Sequence, residues 1–225
     1  NISDVDGLQS YMIHRIGKFI ASKGRKMIGW DEILQGGLAP GAVVMSWRGT
    51  EGGIEAMAAG HDVIMTPGRY CYLDHAQDAP FKEPESIGGY LPLDTVYVYE
   101  PVEASMPADK LHHLKGVQAN LCSEYVVTDE HAEYMYWPRA IALAETGWSL
   151  PQNKDVRDFR RRVLPMLERL REMGYSTFTC ECGESYIGNY VDKLPHTYES
   201  VITEPSCTNL GYTTKTCKDC GDTLK

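Results

Sequence analysis

The chain opens on a helical rhythm. From Leu8 to Ile20 apolar residues return every three or four positions, putting Ile13, Ile16, Phe19 and Ile20 on one side. Short apolar runs follow, each the length of a buried strand: Lys26 to Trp30, Ala42 to Ser46, Asp62 to Met65 and Val117 to Leu121. Gly53 to Ala59, between the second and third, is helical in composition. Ala132 to Thr146, rich in Ala, Leu and Met, predicts one helix. Asp155 to Met173 predicts a long amphipathic one with Phe159, Val163, Leu164, Leu167 and Leu170 as its inner stripe.

Strands alternating with helices imply a parallel sheet with right-handed crossovers. Doubly wound sheets and eight-stranded barrels both satisfy the pattern, but the chain has neither a glycine-rich dinucleotide fingerprint nor a phosphate loop. Their absence lowers the doubly wound reading, and the fold expected is α/β, half of a (β/α)8 TIM barrel over residues 1–174, followed by a small Cys-rich, mostly β or irregular module over 175–225. A whole barrel takes about 250 residues. Four strands leave two edges open that a closed barrel pairs, so the piece alone is expected to be weakly stable or sticky. Asn1 is not a start methionine, and Gly221 to Lys225 stop inside what reads as a repeat, so both ends read as cut.

Composition narrows the partners. A formal net charge of −9 and a pI near 5.3 argue against nucleic acid, whose binding needs a clustered basic surface. The basic run Arg160-Arg161-Arg162 lies in a helical pattern and reads as a solvated face. No apolar run approaches the roughly 20 residues of a membrane span. Of seven cysteines, Cys71 and Cys122 lie in the long first part, whereas Cys180, Cys182, Cys207, Cys217 and Cys220 crowd the end. That density marks a change from core packing to stapling by metal or disulfide near Tyr175.

A barrel builds its active site at the C-terminal ends of its strands. Those ends read Trp30-Asp31-Glu32, Trp47-Arg48, Tyr70-Cys71-Tyr72-Leu73-Asp74 and Glu124, which sets flat aromatics beside carboxylates. Aromatic rings offer apolar faces that suit the C–H faces of a pyranose. Carboxylates accept hydrogen bonds from sugar hydroxyls, and tyrosine donates. The residues alone point to a carbohydrate site.

Several strings carry a resemblance to glycoside hydrolase family 20. They are Ile28-Gly-Trp-Asp-Glu-Ile33, Val44-Met-Ser-Trp-Arg-Gly49, Met65-Thr-Pro67, Tyr72-Leu-Asp74, Gly88-Gly-Tyr-Leu-Pro92 and Gly116-Val-Gln-Ala-Asn120. Tyr136-Trp-Pro-Arg139, Ala142-Leu-Ala-Glu145 and Trp148-Ser149 continue the series in the family's order. The resemblance implies that these are the last four β/α units of a barrel that removes terminal β-linked N-acetylglucosamine or N-acetylgalactosamine with retention. It implies substrate assistance without a catalytic cofactor: the sugar's own acetamido oxygen attacks the anomeric carbon. An Asp-Glu pair after the fourth strand orients that group and supplies the general acid and base. That pair falls upstream of Asn1, so this chain alone is expected not to turn over substrate.

By the same resemblance Tyr72 donates its hydroxyl to the acetamido oxygen and Asp74 helps position the group, the two catalytic roles within this chain. Trp30 and Trp47 wall the acetamido pocket, and Glu124 holds distal hydroxyls. Asp31-Glu32, also an Asp-Glu pair, follows the strand after the catalytic one and reads as structural. The family pattern has a tryptophan floor where this chain has Cys122. That departure keeps open an alternative, a non-catalytic sugar-binding or surface-adhesion protein on a degenerate barrel. Trp137 and Trp148 read as packing the last helices on the barrel, and His112-His113 as exposed.

In the tail, the string from Gly174 to Ser185 returns as Gly211 to Thr223, an internal repeat. It resembles cysteine-knuckle repeats of secreted bacterial surface proteins, which implies an extracellular or cell-surface place and cell-wall association. His196, Cys207, Cys217 and Cys220 are candidate ligands of a structural zinc, and disulfide stapling is the competing reading.

Overall fold

The computed structural model describes residues 2, 4–78 and 83–178, and the backbone of Tyr198–Thr203, Tyr212–Cys217 and Thr223–Leu224. The chain divides into two compact units, Asn1–Tyr186 and Ile187–Lys225.

Four strands, β1 (Ile28–Trp30), β2 (Val43–Ser46), β3 (Val63–Met65) and β4 (Leu114–Val117), form one parallel sheet in strictly sequential order. A doubly wound sheet reverses its strand order part-way, and a barrel does not. The register pairs Gly29 with Val44, and Met45 with Ile64, so all four C-terminal ends meet on one side. Helix α2 (Glu51–Ala58) lies across β2 and β3. It approaches so closely at Gly53 that a Cβ there would stand 2.6 Å from the Met65 sulfur. Val44, Val63, Met65, Ala56 and Met57 form the buried core of this layer.

Helix α1 (Val5–Ser22) is capped by Asp4, whose carboxylate accepts from Gly7 N–H at 2.7 Å. Its inner face is narrower than the sequence suggests. Ile13 and Ile20 pack on the core with Gly17 between them against Ala39 and Met27. Ile16 and Phe19 stand outside that face, Phe19 with 64% of its surface exposed. Gln9 and Ser10 tie the helix to the next segment, donating to the carbonyls of Glu32 and Gly37.

The fourth strand begins three residues earlier than the apolar run predicts. Leu114 pairs with Val63 and Gly116 with Ile64, leaving Lys115 as an extra residue in a bulge. Gly116 takes φ +142°, a conformation that favours glycine. Residues 118–120 then run past β3 onto the loop after it, where Asn120 N–H donates to Cys71 C=O and Leu73 N–H to Asn120 C=O.

The single helix expected over 132–146 is two, α5 (Asp129–Tyr136) and α6 (Arg139–Trp148), because Pro138 cannot donate to the helix and drives Trp137 to extended backbone. Between β3 and β4 lie α3 (Gly68–Cys71) and α4 (Leu93–Val98). Helix α7 (Val156–Glu172) buries Phe159, Val163 and Leu167, and Phe159 stacks on Tyr97 of α4 at 4.3 Å. Trp148 is 92% exposed in this chain and borders an open groove beside β4 with Val117, Ala119 and Leu143. Past Gly174 the first unit continues, with Phe178 N–H on Trp137 C=O and its ring edge-on to Tyr134.

The second unit contains a three-stranded antiparallel sheet, β5 (Tyr198–Thr203), β6 (Tyr212–Cys217) and β7 (Thr223–Leu224). The candidate zinc ligands His196, Cys207 and Cys220, and the side chain of Cys217, lie outside the described residues.

At the opposite end of the sheet from the site, Asp62 gathers His113 Nδ1 at 3.0 Å, Lys115 Nζ at 3.3 Å and Lys26 Nζ at 3.4 Å. His113 is thus half-buried and bonded, not exposed as its polar setting suggests. These partners, His113 foremost, hold the Asp62 carboxyl at about 2, below its ordinary 3.8. A depressed folded value means the contribution is complete above about pH 4 and is lost as pH falls from 4 towards 2. Asp62→Asn should therefore weaken the protein at pH 6 and flatten the acid limb of its urea-unfolding stability between pH 4 and 2. An unchanged limb would show that the cluster is electrostatically idle.

Candidate active site

The strand ends bring most of the candidate residues together. Trp30 ends β1 and leads into a 3-10 turn, Asp31–Leu34. Asp31 is 2% exposed, and its carboxylate holds the segment after β2: it accepts from the N–H groups of Trp47 at 3.0 Å and Arg48 at 3.2 Å, and pairs with Arg48 Nε at 2.6 Å. Glu32 accepts from Trp47 Nε1 at 3.0 and 3.2 Å through its two oxygens. The Asp31-Glu32 pair is therefore committed to fixing the backbone and ring of Trp47. Trp30, half-exposed, makes no ring contact with Trp47 or Tyr72 among the described residues.

Trp47 in turn faces Tyr72, ring centroids 6.1 Å apart and tilted by 38°. Tyr72 forms a parallel bridge with Asn120, which carries the sheet pairing of β3 and β4 one step beyond the strands. Asn120 is anchored below by Thr66, which accepts its amide N–H at 2.5 Å, and by Gln118 at 2.8 Å. Burial, then the nearby Cys122 and the carboxylates of Asp74, Asp31 and Glu32, push the Tyr72 phenol up to about 12. At neutral pH it is a fully protonated donor.

Asp74 is 3% exposed and lies against Cys122, whose N–H reaches Oδ2 at 3.3 Å. Oδ1 is buried without a hydrogen-bond partner. Burial and the hydrogen bond to Asp74 push the Cys122 thiol up to about 11, so it is a neutral, half-buried group and a poor nucleophile. Glu124, two residues on, is exposed at the rim and adds its charge to that shift. Among the described residues no three His, Cys, Asp or Glu side chains gather as a metal site.

A half-buried donor, a buried carboxylate with an unused oxygen and a fixed indole around one mouth suit a ligand with an amide and hydroxyls. The glycosyl hydrolase family 20 catalytic-domain model matches residues 1–151. The chain belongs to glycosyl hydrolase family 20. A β-hexosaminidase of Porphyromonas gingivalis is 42% identical over 229 aligned positions, covering 94% of this chain and 29% of that protein. One from Vibrio furnissii is 34% identical, covering 64% of this chain and 24% of the relative. The chain thus spans less than a third of the curated relatives it matches. A solved family 20 exo-β-N-acetylglucosaminidase from Vibrio harveyi, in complex with N-acetylglucosamine, superposes with a TM-score of 0.71 at 30% identity, over 79% of this chain and 28% of that one. The sequential parallel sheet is thus part of a TIM-barrel-type fold.

Asp31-Glu32 has the structural role its place after β1 suggests, but two supporting residues escape a reading from strand ends alone. Nothing in the sequence around Asn120 distinguishes a partner of Thr66 from a solvated side chain. Arg139 does leave a signal: a lone charge heading the apolar run Ala140-Ile-Ala-Leu-Ala144 belongs to a helix face that faces inward.

Asp31→Ala removes three bonds to a carboxylate, each worth about 1.5–3 kcal/mol at most. We expect a net loss of about 3 kcal/mol in urea unfolding, with a red-shifted Trp emission as Trp47 loosens. Native emission at full stability would show that Asp31 does not hold this loop.

Proposed function

We propose that, within the whole protein, this chain supplies the acetamido side of the active site of an exo-β-N-acetylhexosaminidase. The observation that carries the reading is the convergence of Trp47, Tyr72, Asp74 and Cys122 at one mouth of a family 20 sheet. The substrate proposed is a glycan ending in β-linked N-acetylglucosamine or N-acetylgalactosamine. Its acetamido oxygen attacks the anomeric carbon as the glycosidic C–O bond breaks and a carboxylic acid protonates the leaving oxygen. Water then opens the oxazolinium-like ring, passing its proton back to that carboxylate, with net retention.

Tyr72 in this scheme donates to the acetamido oxygen as it turns nucleophile, and its raised pKa keeps the proton available. Asp74 offers its unused oxygen beside it, Trp30 and Trp47 form the walls, and Glu124 takes distal hydroxyls. No metal or organic cofactor takes part. The Asp-Glu pair that does the acid–base work belongs to residues outside this chain, because Asp31 and Glu32 are engaged with Trp47 and Arg48. An extracellular or cell-surface location, attachment to a cell wall and a zinc- or disulfide-stapled repeat tail are part of the same proposal, supported by the cysteine-rich repeat.

The test is hydrolysis of an aryl N-acetyl-β-glucosaminide by the whole protein. Turnover is expected, with Tyr72→Phe lowering kcat by about 10²–10³, the usual cost of a preorganised donor. A whole protein that binds N-acetylglucosamine without turnover, and whose Tyr72→Phe variant merely binds more weakly, would establish the sugar-binding reading instead. Cys122→Trp, which restores an aromatic floor, is expected to tighten N-acetylglucosamine binding in calorimetry. No gain in affinity would remove Cys122 from the floor of the site.

A further inference from the structure

Arg139 is a charged side chain that the site chemistry above does not use. It is fully buried. Nη1 donates to the carbonyls of His75 at 2.8 Å and Leu91 at 3.0 Å; Nη2 donates to those of Leu73 at 2.5 Å and Met135 at 2.7 Å. Two of these acceptors flank Asp74 on either side. Leu91 ends the loop that contains Gly88 and Gly89, and Met135 lies in the last turn of α5. None of the four is a carboxylate, and Nε has no hydrogen-bond partner. An ion pair would explain an interior arginine by neutralisation. Four carbonyls from three segments require a different explanation, a rigid planar fork that sets where the backbone must run.

The Asp74 side chain is poorly held by its own contacts. Oδ1 has no hydrogen-bond partner, Oδ2 receives the long bond from Cys122 N–H, and the Cys122 thiol lies beside the carboxylate. What aims the carboxylate is the main chain beneath it. We propose that Arg139 is a positioning residue: by gripping the carbonyls of Leu73 and His75 it fixes the direction in which Asp74, and Tyr72 just before Leu73, enter the mouth. That this direction serves a sugar rests on the hexosaminidase reading; the positioning itself does not.

Cys122 reports on Asp74 without any substrate. Asp74 and Glu124 are the charged groups facing its thiol, and with burial they suppress its ionisation. Iodoacetamide labelling of the intact chain, read peptide by peptide by mass spectrometry at pH 9, measures the thiolate fraction at Cys122. The fully buried Cys71 serves as internal control. Arg139→Lys keeps a cation that cannot span four carbonyls, and Arg139→Gln removes the charge. In both, Asp74 should move off the thiol and Cys122 should label roughly tenfold faster, as expected for a tenfold gain in thiolate, with native circular dichroism. Native labelling in a folded variant overturns the proposal. So does loss of cooperative folding in both variants where Met57→Ala, a core truncation in the α2 layer, still folds, since Arg139 would then serve the fold alone. In the whole protein, the loss of kcat/KM in Arg139→Lys should overlap with that of Tyr72→Phe instead of adding to it; additive losses also overturn it. A whole protein inert towards the aryl glycoside, with faster Cys122 labelling still present, would sink the hexosaminidase reading and leave Arg139 in its role.

Discussion

The guanidinium of Arg139 sits in the interior with backbone carbonyls round it, and the loop after β3 takes its course from that arrangement. Burial lowers its pKa to about 9, with Glu83 and Asp74 the nearby charges that oppose the shift. Removing such an ion from water costs several kcal/mol. Charge-assisted bonds to four carbonyls offset that cost and satisfy main-chain acceptors that would otherwise be buried without partners. The consequence is local rigidity where the chain has little regular structure. Among the described residues between Met65 and Leu93 the regular structure is the single turn α3 and two isolated bridges, yet the carbonyls of Leu73 and His75 are fixed by Arg139 at the head of α6.

A second carboxylate-based hold does the same for the neighbouring strand end. Asp31 and Glu32 rise from β1 and bind the backbone and indole of the residue after β2. Across the mouth, Asn120 extends the sheet by one bridge and locks the start of the Tyr72 loop. Trp47 and the Tyr72–Asp74 segment are thus each held by a residue from a neighbouring segment, which fixes their place as binding geometry demands. The sheet's opposite end carries a different kind of group, the Asp62 cluster, whose role is stability. This division between a chemical end and a structural end follows from parallel strands in sequential order.

Much of this was legible from residues alone. The first three strands are short apolar runs followed by Trp or by turn residues, and they fall within a residue or two of where the sequence sets them. Trp47, Tyr72, Asp74 and Cys122 are found together because each follows a strand or lies on the chain after it. The fourth strand was misplaced because Gly116 breaks its apolar run, and a bulge at Lys115 is invisible to periodicity. The last helices were merged because the apolar rhythm continues through Pro138, although proline removes the donor that one helix needs. Its size and apolar character suggest packing for Trp148, yet it ends α6 with nearly all its surface exposed. Hydrogen bonds across 54 to 66 residues, such as those of Asn120 to Thr66 and Arg139 to Leu73, carry no local signal at all.

The central claim is that these strand ends receive the acetamido group of a terminal sugar, and a crystal structure of the whole protein with N-acetylglucosamine bound tests it most directly. The account predicts the acetamido oxygen on the Tyr72 hydroxyl, the methyl group against Trp47, and the sugar ring over Cys122 with Asp74 beside it. A sugar bound elsewhere, or bound here with its acetamido group turned away from Tyr72 and Trp47, would contradict it.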